Sequence, residues 1–161
     1  MTLKVTFDIN VWITGILGPG TEYPYLPVVP PTGENASADC LSMAFDGERF
    51  QVFVSPHIIR NIFRIIRESG VSKESAQRVI DDVTDITLLS LGGVVDPARS
   101  AVVQKDFEDN LILDLALQTK SQIIVTRDQE LLAASGWKGI AIIEPRAFVN
   151  LVLSTKPISM N

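Results

Sequence analysis

The sequence predicts an α/β protein, a three-layer α/β/α sandwich around a central, mainly parallel sheet. Short apolar segments alternate with segments of helical period through most of the 161 residues. Parallel strands need helical crossovers, and this alternation is what they produce. The strand segments are also continuous apolar runs, as expected where helices cover both faces of a sheet. A hydrophobic fraction of 46% with 20% charged residues suits a packed core and excludes a disordered chain.

The elements follow in order. "LKVTF" (3–7) is rich in apolar and β-branched residues and reads as a buried strand. "NVWITGILG" begins a helix, with Asn10 as candidate N-cap. Residues 18–37 hold most of the prolines, so a long surface loop is expected there. Residues 37–47 form a short helix closed by Gly47, and "FQVFVS" (50–55) a second strand. Residues 55–69 give the strongest helix signal. Ser55 caps, Pro56 takes the first helical position, and Ile58, Ile59, Ile62, Phe63 and Ile66 share one face, with Gly70 as the stop. A helix over 72–87 begins at Ser72 or Ser75, and "TLLSL" (87–91) reads as a short strand before two glycines. "DFEDNLILDLALQT" (106–119) is an amphipathic helix with an acidic start. A strand (121–128), a short helix (128–135), a strand (139–145) and a closing helix (145–154) complete the chain. The reading is one domain over 1–154, with a tail at 155–161.

Composition narrows the function. No apolar run approaches the ~20 residues of a membrane span, and the N-terminus lacks the pattern of a signal peptide. Cys40 and His57 are each alone of their kind, which rules out an internal disulfide and argues against zinc. A cytoplasmic protein is expected. The net charge of −5 argues against a protein that coats nucleic acid by charge alone. Arg60, Arg64 and Arg67 nonetheless recur at helical spacing and make one basic stripe.

Sites in open parallel sheets form beyond the C-terminal ends of the strands. Asp8 follows the first strand; Thr126 is the last position of the run "QIIVT" in the segment 121–128, and Asp128 follows it; Asn61 lies on the helix after the second strand. Asp109 shares a face with Ile112, Leu113 and Ala116, whereas Asp106, Glu108 and Asp114 are expected to point toward solvent. Asp8, Asp109 and Asp128 therefore converge at one sheet edge. Crowded carboxylates resist ionisation unless a cation compensates them. All-oxygen ligands select Mg²⁺ or Mn²⁺, whose chemistry includes phosphodiester hydrolysis.

Four segments, "FDINVWITGIL", "VFVSPHIIRNIFRII", "DFEDNLILDLAL" and "IIVTRDQELL", together resemble the PIN domain, in particular the VapC-like toxins of bacterial toxin–antitoxin systems. The resemblance implies a Mg²⁺- or Mn²⁺-dependent endoribonuclease. Asp8, Asp109 and Asp128 would be its catalytic metal ligands, with Asn10, Asn61 and Thr126 in support. Arg60, Arg64 and Arg127 would be candidate contacts to the RNA substrate. It also implies a homodimer and a cognate antitoxin. One residue departs from the family pattern: Asn61 stands where the second acid belongs. Weaker metal binding is expected, giving either a one-metal enzyme of reduced activity or a protein that acts by binding. Glu68, two turns on, is too far to substitute.

Each residue also has a local explanation. Asp8 and Asp128 suit turns or helix caps, and acids at 106–109 suit a helix dipole. The arginines suit a solvated face, His57 the surface, and Cys40, Trp12 and Trp137 the core. What favours function is that three acids fall at the same end of the predicted sheet. A phosphoaspartyl hydrolase would need a second acid where Asn10 stands, and a dinucleotide-binding protein would need a Gly-rich loop after the first strand.

Overall fold

The computed structural model describes residues 2–19, 33–101 and 104–155. Its strands are β1 (Leu3–Phe7), β2 (Phe50–Val54), β3 (Gly93–Val94), β4 (Ile123–Val125) and β5 (Ala141–Ile143). They form one parallel sheet in the order β3-β2-β1-β4-β5. The helices are α1 (Ile9–Leu17), α2 (Ala36–Phe45), α3 (Pro56–Glu68), α4 (Lys73–Leu89), α5 (Phe107–Thr119), α6 (Gln129–Leu132) and α7 (Pro145–Ser154). The chain builds outward from β1 to β3, then returns to β1's other side with β4 and β5. The order reverses between β1 and β4, and that is where a crevice opens at the strands' C-terminal ends.

The pleat divides the core. Val5 and Phe7 point to one face of β1; Val5 pairs in register with Val52 of β2 and Phe7 with Val125 of β4. On that face Phe7 meets Trp12 of α1, Phe50 and Phe148 of α7, with ring centroids 5.6, 6.0 and 5.9 Å away. Thr6 points to the opposite face. Its hydroxyl lies 2.9 Å from that of Ser121, just past α5, which packs on β1 and β2 there. These layers are the α/β/α sandwich expected.

Several local expectations need correction. Thr87–Leu91 is not a strand: α4 runs on to Leu89, and the strand is Gly93–Val94. Asp8, not Asn10, caps α1; its Oδ1 accepts from Ile9 N at 2.8 Å. α2 starts at Ala36, so the loop ends sooner than residue 37. Most of that loop (20–32), and the tail 156–161, lie outside the described residues. α6 stops at Leu132, and turns follow. α5 is not amphipathic, for residues 109–116 are all buried. Asp114 is therefore not on a wet face. It is 2% exposed, and its Oδ1 accepts from Ser100 N, Ser100 Oγ and Ala101 N at 3.1, 3.1 and 2.7 Å. No helix among the described residues is long and apolar enough to cross a membrane.

Candidate functional site

The end of β1 places Asp8, and the parallel pairing of β1 with β4 brings Thr126 beside it. Asp8 N donates to Val125 O at 2.9 Å, which extends the ladder one residue past the strand. The buried Thr126 hydroxyl donates to Asp8 Oδ2 at 2.7 Å and accepts from Asp128 N at 3.0 Å. One side chain thus holds both acids in place. Asn10 adds a second tie: its Nδ2 donates to Asp8 Oδ2 at 3.3 Å, and its Oδ1 accepts from Arg127 N at 3.2 Å.

Asp128 caps α6, its Oδ1 accepting from Glu130 N at 2.8 Å and Leu131 N at 3.3 Å. The local explanations for Asp8 and Asp128 are thus real, but a cap occupies a fraction of a carboxylate's lone pairs. Asp109 differs. It is 7% exposed, and among the described residues its carboxyl joins no hydrogen bond or ion pair. Asp106 instead caps α5, accepting from Glu108 N at 2.8 Å.

Asp8, Asn10, Asn61, Arg64, Asp109 and Asp128 line one cavity of about 310 Å³, together with Thr14, Asp106 and Glu108. Asp106 and Glu108 are exposed as expected, yet they still face this cavity. Their solvent side is the site side, a coincidence that helical period cannot reveal. Burial raises the Asp109 carboxyl to about 7, with Asp128, Asp106 and Asp8 adding repulsion. Burial also raises Asp8, against the lowering effect of its bonds from Thr126 and Ile9. Such a site holds negative charge at a cost and has room to bind a positive one. Among the described residues, no three ligating side chains stand close enough to close around an ion as they are. The donor set is nevertheless all oxygen, with Asp109 uncommitted, and it suits a hard divalent cation.

The neighbours of Asn61 were not legible in the sequence. Its Nδ2 lies 2.9 Å from His57 Nε2 and 3.1 Å from His57 O; its Oδ1 accepts from Arg64 Nη2 at 3.0 Å. His57 is half-buried, not free on the surface. Burial lowers its pKa, against the raising effect of Glu108, whose Oε1 lies 3.9 Å from Nε2. Of the basic residues, Arg64 lines the cavity and Arg127 sits beside it, bonded to Thr14 Oγ1 at 3.0 Å. Arg60 is exposed outside the cavity lining. Arg67 closes the end of α3 by donating to Val71 O at 2.9 Å. A larger hollow of about 650 Å³ lies elsewhere, between α2 and α4. It is mainly apolar, with Leu41, Phe45, Val83, Ile86 and Leu89 among its lining, and carries no comparable chemistry.

Comparison with known proteins bears on the family and the fold. The model of the PIN domain family matches residues 4–130. A chain in the crystal structure of VapBC2 from Rickettsia felis, bound to a DNA fragment from their promoter, is similar with a TM-score of 0.55 at 13% identity. The match covers 88% of the present chain and 98% of that one, and at such identity it concerns the fold. No curated protein matches.

Proposed function

The chain belongs to the PIN domain family, and from that premise we propose that it is a Mg²⁺- or Mn²⁺-dependent endoribonuclease, the toxin of a toxin–antitoxin pair. One observation carries the proposal: among the described residues, Asp109 is a buried carboxyl without a donor, in a cavity it shares with Asp8 and Asp128. PIN domains are in general nucleases that use divalent ions, and the all-oxygen lining of this cavity supports the reading that such an ion would bind here.

Asp8, Asp109 and Asp128 would hold the ion, which would supply Lewis acidity toward the phosphoryl oxygens and activation of water at neutral pH. Thr126 and Asn10 orient Asp8, and Thr126 also fixes the turn that carries Asp128. Arg127, with Arg60 and Arg64 on α3, contacts RNA phosphates. The antitoxin partner is supported by the likeness to a chain of VapBC2, and a homodimer is part of the same reading.

Incubation of the protein with a mixed single-stranded and structured RNA tests the reading. Cleavage is expected with Mn²⁺, none with EDTA, and at least about a hundred-fold less from Asp8→Ala. Undiminished cleavage by Asp8→Ala, or cleavage in EDTA, would sink it. Asn61 favours a second reading, in which catalysis is weak and the protein acts by binding. That reading requires an inert parent that gains cleavage on Asn61→Glu.

A further inference from the structure

The departure at position 61 does more than remove a charge. An Asn in place of an acidic ligand invites the idea of a degraded ligand whose remaining oxygen still reaches the metal. The contacts of Asn61 argue otherwise. Arg64 has donors and no acceptor, so the amide atom 3.0 Å from Nη2 must be the oxygen. The amide nitrogen is fixed independently by His57 O at 3.1 Å. The one oxygen Asn61 has is thus engaged by a guanidinium, and a cation is a poor neighbour for a second cation.

That engagement matters because of where Arg64 stands. Among the described residues lining the carboxylate cavity, Arg64 is the one cationic side chain; Asp8, Asp106, Glu108, Asp109 and Asp128 are its acidic companions. Its pairing with Glu68, at 3.2 Å between groups 55% and 64% exposed, is a solvent-screened i,i+4 contact that a better anion displaces readily. Asn61 and Glu68 do not exhaust its donors. A guanidinium with free N–H groups at the mouth of an acidic cavity matches a phosphate diester approaching a metal.

We infer that Asn61 is not a metal ligand but a positioning residue for Arg64, whose guanidinium binds a non-bridging oxygen of the RNA phosphate beside the metal. This rests on the nuclease reading above and deepens it. An acid at 61 would neutralise Arg64; a neutral amide holds it and leaves its charge for substrate.

Two binding measurements test this. The first is anisotropy of a fluorescein-labelled single-stranded RNA oligonucleotide in EDTA, across a KCl series. Arg64→Gln is expected to weaken binding about ten-fold and reduce the slope of log K against log[salt] by about 0.7. Arg64 is exposed, so folding is not at stake, and Arg78→Gln on the outer side of α4 serves as control. Asn61→Ala is expected to weaken RNA similarly, but to add little in the Arg64→Gln background. The second is titration of Mn²⁺ by electron paramagnetic resonance. Asn61→Ala is expected to keep parental affinity within about two-fold, while Asp8→Asn loses at least about ten-fold. Asn61→Glu separates the roles, with tighter Mn²⁺ and weaker RNA. The inference is overturned if Asn61→Ala loses Mn²⁺ as Asp8→Asn does, or if Arg64→Gln binds RNA like Arg78→Gln. If the parent still shows metal-dependent cleavage in those cases, the nuclease reading stands without it. A parent that neither binds nor cuts RNA ends both.

Discussion

Asp109 ties the chemistry of the site to the stability of the fold. Its carboxyl is raised to about 7 from an ordinary 3.8, because burial and its acidic neighbours disfavour the charge. Between those values the folded state holds a proton that the unfolded state has released. The linkage is therefore the reverse of a salt-bridged acid's: this group's contribution to stability is fully present below about pH 4 and is lost as pH rises through about 7. The loss from this group is on the order of 1–2 kcal/mol once solvent screening of the carboxyl is allowed for. Thermal unfolding in EDTA at pH 5 and pH 8 checks it. Asp109→Asn is expected to flatten the difference, and Mn²⁺ to raise the parent's melting temperature at pH 8 far more than at pH 5. An Asn variant with the same pH slope would place the effect elsewhere. Thr126 makes a second prediction. Removing its hydroxyl in Thr126→Val frees Asp8 and the Asp128 turn together, so Mn²⁺ affinity is expected to fall about 10- to 100-fold. Calorimetric titration would show this, and unchanged affinity would deny Thr126 its orienting role.

At the level of elements, α5 shows both what the sequence discloses and where it stops. That the acids after β1 and β4 line one cavity was legible, because strand ends in a parallel sheet are where clefts open. Asp109 was legible because it continues the apolar row of Ile112 and Ala116. Asp114 was not, since period arguments assume a wet face and α5, buried from 109 to 116, has none there. Thr87–Leu91 misled for a related reason: a short apolar run suits a buried helix end as well as a strand. The bonds of Asn61 to His57 and Arg64 were out of reach because they depend on rotamers, not spacing. Asp114 carries its own prediction. It is the anchor that fastens the backbone at Ser100 and Ala101 to α5, near the entrance to the acidic helix start. Asp114→Ala removes the acceptor of three part-buried hydrogen bonds from Ser100 and Ala101, at a cost of about 1–2 kcal/mol. Hydrogen exchange is expected to rise at residues 100–101 well before it rises in β1. Protection that falls uniformly would mean that Asp114 serves the core and not this segment.

For the whole molecule, a net charge of −5 sets the terms on which RNA approaches. The general field repels a polyanion, so association depends on a few local cations and on the metal. Arg64 lines the site, Arg127 flanks it and Arg60 is exposed on the same helix as Arg64, whereas Arg67 is spent on the end of α3. Two or three phosphate contacts follow, at about 0.7 each for a single strand, giving a salt slope of roughly −1.4 to −2.1. Mn²⁺ is expected to raise RNA affinity by more than it screens, because it cancels charge in the cavity where the phosphate must sit. Measured with Asp109→Asn alongside, that gain should shrink, since the variant begins with one charge fewer and one ligand fewer. A slope steeper than about −4 would call for a basic footprint larger than these three arginines, such as one completed by a second copy of the chain.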